Sequence, residues 1–319
     1  MKRPLMCSGE LLDRDLSGHT YIVTGGNSGI GLVTVQQLAK QGATVVLACR
    51  RPAEGDKAAQ ALLIQGVPGQ VVVMALDLSS LDSVRDFARQ FLAAFSQLHG
   101  LVNNAGVMNT PYGRTVDGFE MQFGVNHLGH YLLTELLLDR IQHTASSRIV
   151  CVSSAYHDKA FGREGRIVLD DLHFERRRYD GWEAYAQSKL ANVLHARVLA
   201  RRLEGSGVTA VSLHPGWVRT NLIRTTVPVW VQDVLLGPLL RLGGMIEPWE
   251  GAQATLHCLL SPEVVQHPGA FFSQTGVYRK RQLNRGGWPL ESPNPHALDD
   301  ALADALDECS RKLVGLSVG

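Results

Sequence analysis

Tyr21-Ile22-Val23-Thr24-Gly25-Gly26-Asn27-Ser28-Gly29-Ile30-Gly31 is the stretch that decides the fold. An apolar, β-branched run leads straight into a glycine turn, and the turn opens a helical segment. Free backbone N–H groups at such a helix N-terminus receive a pyrophosphate, and a Cβ at the glycines would hold the phosphate away. A tight strand-to-helix connection would use the same residues with no ligand, so the surrounding chain has to decide between the two.

Working outward, short apolar runs recur at Thr44-Val45-Val46-Leu47, Val71-Val72-Val73-Met74, Leu101-Val102, Arg148-Ile149-Val150-Cys151-Val152 and Val208-Thr209-Ala210-Val211-Ser212-Leu213. Their continuous character is that of strands buried on both faces. Amphipathic segments lie between them. From Ser80 to Phe95, Leu81, Val84, Phe87, Ala88, Phe91 and Leu92 repeat at helical spacing. The alternation predicts an α/β fold, a single doubly wound parallel sheet (Rossmann-like) with helices on both faces. We expect an N-terminal extension over residues 1–17 and one catalytic domain over 18–319. An apolar substrate flap is expected at about 221–247, where Val227, Trp230, Val231, Leu235, Leu236 and Leu239 cluster. The Gly- and Pro-rich stretch Gly286 to Pro295 reads as a surface loop before a last helix, Pro295 to Leu313.

The second strand run is followed by Arg50-Arg51, where an NAD-preferring protein places a carboxylate for the ribose 2′-hydroxyl. Guanidinium groups pair bidentately with a 2′-phosphate and stack on adenine, so the residues point to NADP(H). Asp77-Leu78 follows the third strand, with Asp77 placed to accept from the adenine amino group. Asn103-Asn104-Ala105-Gly106 follows the fourth strand and would line the same cleft.

Tyr185-Ala186-Gln187-Ser188-Lys189 puts a phenol and an ammonium on one helix face. A cation about 4 Å from a phenolate, at an effective dielectric of about 20, is worth up to about 4 kcal/mol, enough to draw tyrosine from about 10 toward neutrality. There it could exchange a proton. Ser153-Ser154 ends the fifth strand run, and one of the two hydroxyls can hold a substrate oxygen. Asn126 falls mid-helix, where asparagine is a poor former, which argues for a buried hydrogen-bonding role.

This ordered set resembles the short-chain dehydrogenase/reductase superfamily. The match runs from about Gly18 to Thr220 and ends in Pro215-Gly216-Trp217-Val218-Arg219-Thr220. Asn126-His127-Leu128-Gly129-His130 and Ser188-Lys189-Leu190-Ala191-Asn192-Val193-Leu194 are similar to the retinol dehydrogenase-like branch. The resemblance implies NADP(H) and a lipophilic carbonyl or alcohol such as retinal. It also implies Tyr185 as acid/base, Lys189 depressing its pKa and binding the nicotinamide ribose, Ser154 polarising the substrate oxygen and Asn126 holding a relay water. Thr24, Gly25, Asn27, Ser28, Gly29, Ile30, Gly31, Arg50, Arg51, Asp77, Leu78, Asn104, Ala105 and Gly106 would bind the cofactor. Pro215, Gly216, Val218 and Thr220 would border its nicotinamide end. A homodimer through the Tyr185-bearing helix and its neighbour is common in the superfamily. Asp170-Asp171 and Glu175-Arg176-Arg177-Arg178 lengthen the Ser154–Tyr185 connection, and that basic run reads as a solvated loop.

Composition narrows the alternatives. A formal net charge of +1 gives no footprint for nucleic acid. Five scattered cysteines without a Cys-x-x-Cys pair argue against a disulfide framework or zinc site, and the 12 histidines show no metal spacing, so no metal is expected. No signal peptide or membrane anchor is visible, which predicts a cytoplasmic protein with room for peripheral membrane contact through the flap. Without a Gly-x-Ser-x-Gly elbow around Ser153-Ser154, a serine hydrolase is disfavoured. Two rivals stay open: a non-catalytic NADP(H)-binding sensor or scaffold, and reduction of a ring C=C bond of the protochlorophyllide type.

Overall fold

In the computed structural model, residues 4–219, 244–276, 278 and 280–317 are described. Thr220 and most of the expected flap lie outside the described residues.

β1 (Thr20–Thr24), β2 (Thr44–Cys49), β4 (Gly100–Asn103), β5 (Arg148–Val152) and β6 (Thr209–His214) are buried along almost their whole length. β3 (Gln70–Ala75) and β7 (Phe271–Ser273) form the edges. The order is β3-β2-β1-β4-β5-β6-β7, and every neighbouring pair is parallel. Because the order reverses between β1 and β4, the strand ends diverge there and open a crevice. β7 was not anticipated. It has three residues, and only its pairing with β6 makes it a strand.

The sheet divides the core in two. Val35, Leu38 and Leu62 belong to the layer that also holds Leu256 and Leu259. These come from α1 (Gly29–Lys40), α2 (Pro52–Ile64) and α6 (Pro248–Leu260). The opposite layer is built by α3 (Leu81–Ala94), α4 (Gly129–Gln142), α5 (Gly181–Arg202) and α7 (Asp300–Leu313). Capping follows the residue chemistry. Ser80 accepts from Ser83 N at 3.3 Å ahead of α3, and Asp180 accepts from Trp182 N and Glu183 N at 2.9 and 3.1 Å ahead of α5.

α5 is buried nearly all round because α7 lies against it on the side away from the sheet. α7 also reaches α4. The Tyr131 hydroxyl donates to Asp307 Oδ1 at 2.9 Å, His127 Nε2 bonds Ser310 Oγ at 2.8 Å, and Glu135 pairs with Arg202 at 2.7 Å and with Arg311. The C-terminal helix thus packs along α5 and is bonded to α4 on the side away from the sheet.

Two loop readings are corrected. Ser292 and Asn294 inside the Gly286–Pro295 stretch are buried, and Gly287 bonds Ser273 in both directions at 2.8 Å, so this is not a surface loop throughout. In the basic run Arg176 and Arg178 are solvated, whereas Arg177 lies 3.8 Å over the Phe174 ring and pairs with Asp171 and Glu183.

Candidate active site

Thr24, at the carboxyl end of β1, ties the floor together. Its Oγ1 accepts from Asn104 N and Ala105 N, both at 2.9 Å, which occupies its lone pairs. Its proton has two acceptors in reach, His130 Nε2 at 2.8 Å and, further off, Val102 O at 3.3 Å. His130 Nδ1 lies 3.0 Å from the Asn126 carbonyl, which can only accept, so the ring proton sits on Nδ1. Burial, pushing the imidazole down to about 4, keeps this neutral tautomer. The Asn104 side chain closes the set by donating to Thr24 O at 2.7 Å.

Asn126 lies in a π-helical turn, Gly124–Leu128, rather than in a regular helix. Such bulges redirect a side chain at a modest cost in hydrogen bonding. Asn126 Oδ1 accepts from Val107 N at 2.8 Å, and Nδ2 donates to Val107 O and Ser188 Oγ, both at 2.9 Å. The loop after β4 is thereby fastened to α5. Gly106 is where loop and site approach most closely, since a Cβ there would stand 3.0 Å from Asn126 Oδ1 and 3.5 Å from Lys189 Nζ.

The two serines separate cleanly. Ser153 Oγ donates to Lys189 O at 2.7 Å and locks β5 to α5, whereas Ser154, its Oγ accepting from Tyr156 N at 3.2 Å, lies near enough to the Tyr185 phenol to draw its pKa down. Lys189 Nζ donates to Val152 O at 3.0 Å and lies 5.7 Å from the Tyr185 ring centre. The expected tuning of the phenol by this ammonium is not what the protein alone produces. Burial pushes Tyr185 up to about 12, Ser154 pulling it partly back, and burial pushes Lys189 down to about 8. The ammonium's distance and the desolvation of both groups outweigh their attraction.

The glycine turn fits a dinucleotide. Gly25 and Gly29 have φ of +66° and +54°, which favours glycine. A Cβ at Gly31 would stand 2.5 Å from Gly25 O and 2.6 Å from Asn104 Nδ2. Ser28, the N-cap of α1, makes no side-chain cap bond, so the first N–H groups of the helix face outward over Asn27, Ser28 and Ile30. Arg50 and Arg51 are exposed beyond β2, and neither is ion-paired among the described residues. Asp77 stands beyond β3, its Oδ1 accepting from Ser79 N and Oγ at 2.9 and 2.6 Å, with Leu78 buried beside it. Pro215 and Gly216 follow β6, and Val218 bridges to Ile246.

The strand ends thus bring together the glycine turn, Asn104–Gly106, Asn126, Ser154, Tyr185 and Lys189. Missed from sequence were His130, Ser188 and the role of Ser153. The i, i+4 spacing of Asn126 and His130 was the available signal for the first. Fold and site together define a doubly wound dinucleotide-binding protein carrying a serine–tyrosine–lysine constellation.

A family described as short chain dehydrogenase matches residues 19–165. Human retinol dehydrogenase 12 is 45% identical, over 81% of this chain and 78% of its own length. Retinol dehydrogenase 14 of Mus musculus is 42% identical, over 94% of this chain and 87% of its own. The crystal structure of an uncharacterized Mycobacterium paratuberculosis protein superposes with a TM-score of 0.73 at 36% identity, covering 95% of this chain and 96% of that one. The chain belongs to the short-chain dehydrogenase/reductase family, in its retinol dehydrogenase-like branch, and is an oxidoreductase acting on CH–OH/C=O groups with a nicotinamide dinucleotide. Among the described residues, no helix is long and apolar enough to cross a membrane.

Proposed function

We propose that this protein is an NADP(H)-dependent reductase of lipophilic aldehydes or ketones, retinal among them, with Tyr185 as the proton donor. The observation that carries the reading is the burial of Ser154, Tyr185 and Lys189 together beyond β5, with Lys189 Nζ 5.7 Å from the Tyr185 ring and the backbone of Gly106 close against Lys189. The bound nicotinamide supplies or takes up the hydride. Ser154 holds the carbonyl oxygen against the Tyr185 hydroxyl, and Tyr185 passes its proton to that oxygen as negative charge develops there. Burial holds the phenol up, so Tyr185 carries the proton that reduction consumes. Lys189 binds the nicotinamide ribose, and Asn126 keeps the loop after β4 in register with α5. Arg50 and Arg51 are free to hold a 2′-phosphate.

Retinal enters this reading because relatives named retinol dehydrogenase cover most of the chain. In it, residues 18–319 act as one catalytic domain, with 1–17 as an extension and a flap at about 221–247. The test is loss of NADPH absorbance against a panel of aldehydes and ketones that includes all-trans-retinal. We expect turnover with NADPH, much less with NADH, and none in Tyr185→Phe although that variant still binds NADPH. Retained turnover in Tyr185→Phe, or equal use of both cofactors, would overturn the assignment.

A further inference from the structure

Ser154 is oriented from behind as well as from the site. It is extended, with φ −153° and ψ 159°, and its Oγ accepts from Tyr156 N at 3.2 Å at the start of the single turn Ala155–His157. Its carbonyl oxygen accepts twice from one residue, His157 N at 3.1 Å and His157 Nδ1 at 2.6 Å. The other ring nitrogen, Nε2, lies 2.7 Å from Ser292 Oγ, in the segment that leads to the C-terminal helix.

These contacts have one consistent direction. Ser292 Oγ accepts from Asn294 N at 3.2 Å, which leaves its proton for His157 Nε2. The Ser154 carbonyl can only accept, so Nδ1 carries the ring proton. A neutral imidazole satisfies both ends, and burial, which pushes His157 down to about 4, keeps it neutral. A chain of donors thus runs from Asn294 N–H through the Ser292 hydroxyl and the imidazole to the Ser154 carbonyl, each bond polarising the next. Asn294 Nδ2 also donates to His157 O at 2.6 Å and to Gly165 O at 2.8 Å. Gly165 passes so close that a Cβ would stand 1.9 Å from His157 O.

We propose that His157 is a positioning residue: held in one tautomer by Ser292, it fixes the backbone of Ser154 and so aims the Ser154 hydroxyl at the substrate oxygen. The inference rests on the reductase reading above, because it gives Ser154 a function to be aimed at. His157→Phe keeps the ring beside Phe271, 4.6 Å away between centres, and removes both polar contacts. His157→Asn returns an amide N–H near the position of Nδ1.

NADPH affinity, kcat and KM for one aldehyde, and the ring ¹⁵N shifts should be measured together. The expectation is unchanged NADPH affinity in all variants and a fall in kcat of about 10- to 100-fold in His157→Phe, as a misplaced orienting group produces. His157→Asn should recover most of that loss, and Ser292→Ala should fall between them. In the parent protein the His157 shifts should be those of the neutral Nδ1–H form, with the Nε2 shift moving in Ser292→Ala. Wild-type kcat in His157→Phe, or no recovery in His157→Asn, overturns the proposal, as does an Nε2–H or protonated ring. If the parent protein reduces no carbonyl, the reductase reading fails by itself. The ¹⁵N shifts and the Ser154 carbonyl ¹³C shift in Ser292→Ala then decide whether His157 holds Ser154.

Discussion

Replacing Lys189 by methionine should make the protein more stable while abolishing turnover. Burial holds the Lys189 ammonium down from its ordinary 10.5 to about 8, so the folded state carries a charge it would rather release. At pH 7, below both values, that difference corresponds to about 3 kcal/mol against folding. Methionine fills a similar volume without the charge. What it forfeits is the bond from Nζ to Val152 O, a net contribution of about 1 kcal/mol. Val152 O is not orphaned, because Asn192 Nδ2 also donates to it at 3.1 Å. The balance is a gain of about 2 kcal/mol. For a chain of 319 residues this raises Tm by about 3 °C. The pH dependence supplies the sign check. Between about 8 and 10.5 the folded protein sheds this proton before the unfolded chain does, so the parent gains stability as pH rises and the gap between the two proteins closes. Calorimetric scans of both proteins from pH 7 to pH 10 test it, with NADPH oxidation assayed in parallel. A variant no more stable than its parent at pH 7, or a gap that stays constant with pH, would refute the reasoning.

Two further substitutions probe the supports. Thr24→Val keeps the shape but strands Ala105 N–H and His130 Nε2, while Asn104 N–H keeps Val102 O, so we expect a loss of about 2 kcal/mol and weaker NADPH binding by titration. Thr24→Ser, which keeps the hydroxyl, should bind NADPH as the parent does. Glu135→Ala leaves Arg202 and Arg311 without their shared carboxylate under α7. Both guanidinium groups keep some solvent, so Tm should fall by only about 3–4 °C in a thermal scan, with kcat unchanged.

Much of this architecture is legible because parallel strands buried on both faces write themselves as apolar runs, and because glycine is demanded wherever backbone meets backbone. β1, the glycine turn and Tyr185–Lys189 fall in that class. What the sequence hides depends on neighbours far along the chain. β7 exists only by pairing with β6, and the π-turn around Asn126 interrupts a helix whose periodicity does not announce it. The raised pKa of Tyr185 is hidden for the same reason. Spacing shows that Lys189 lies one turn away, but not that both groups are desolvated, and desolvation decides the sign. Arg177 looked like its solvated neighbours because nothing local reveals that Phe174 and Asp171 fold beneath it.

The position of α7 bears on how the protein is made. Every strand of the sheet is synthesised before residue 300, yet His127 and Tyr131 on one side of the groove and His195 on the other are sealed only when that last helix arrives. During synthesis the catalytic half can collapse as it emerges, but a wet, half-open seam beside the Tyr185 helix persists until the final residues clear the ribosome. A premature stop shortly before residue 300 would therefore yield a complete set of reacting groups in a protein that cannot close.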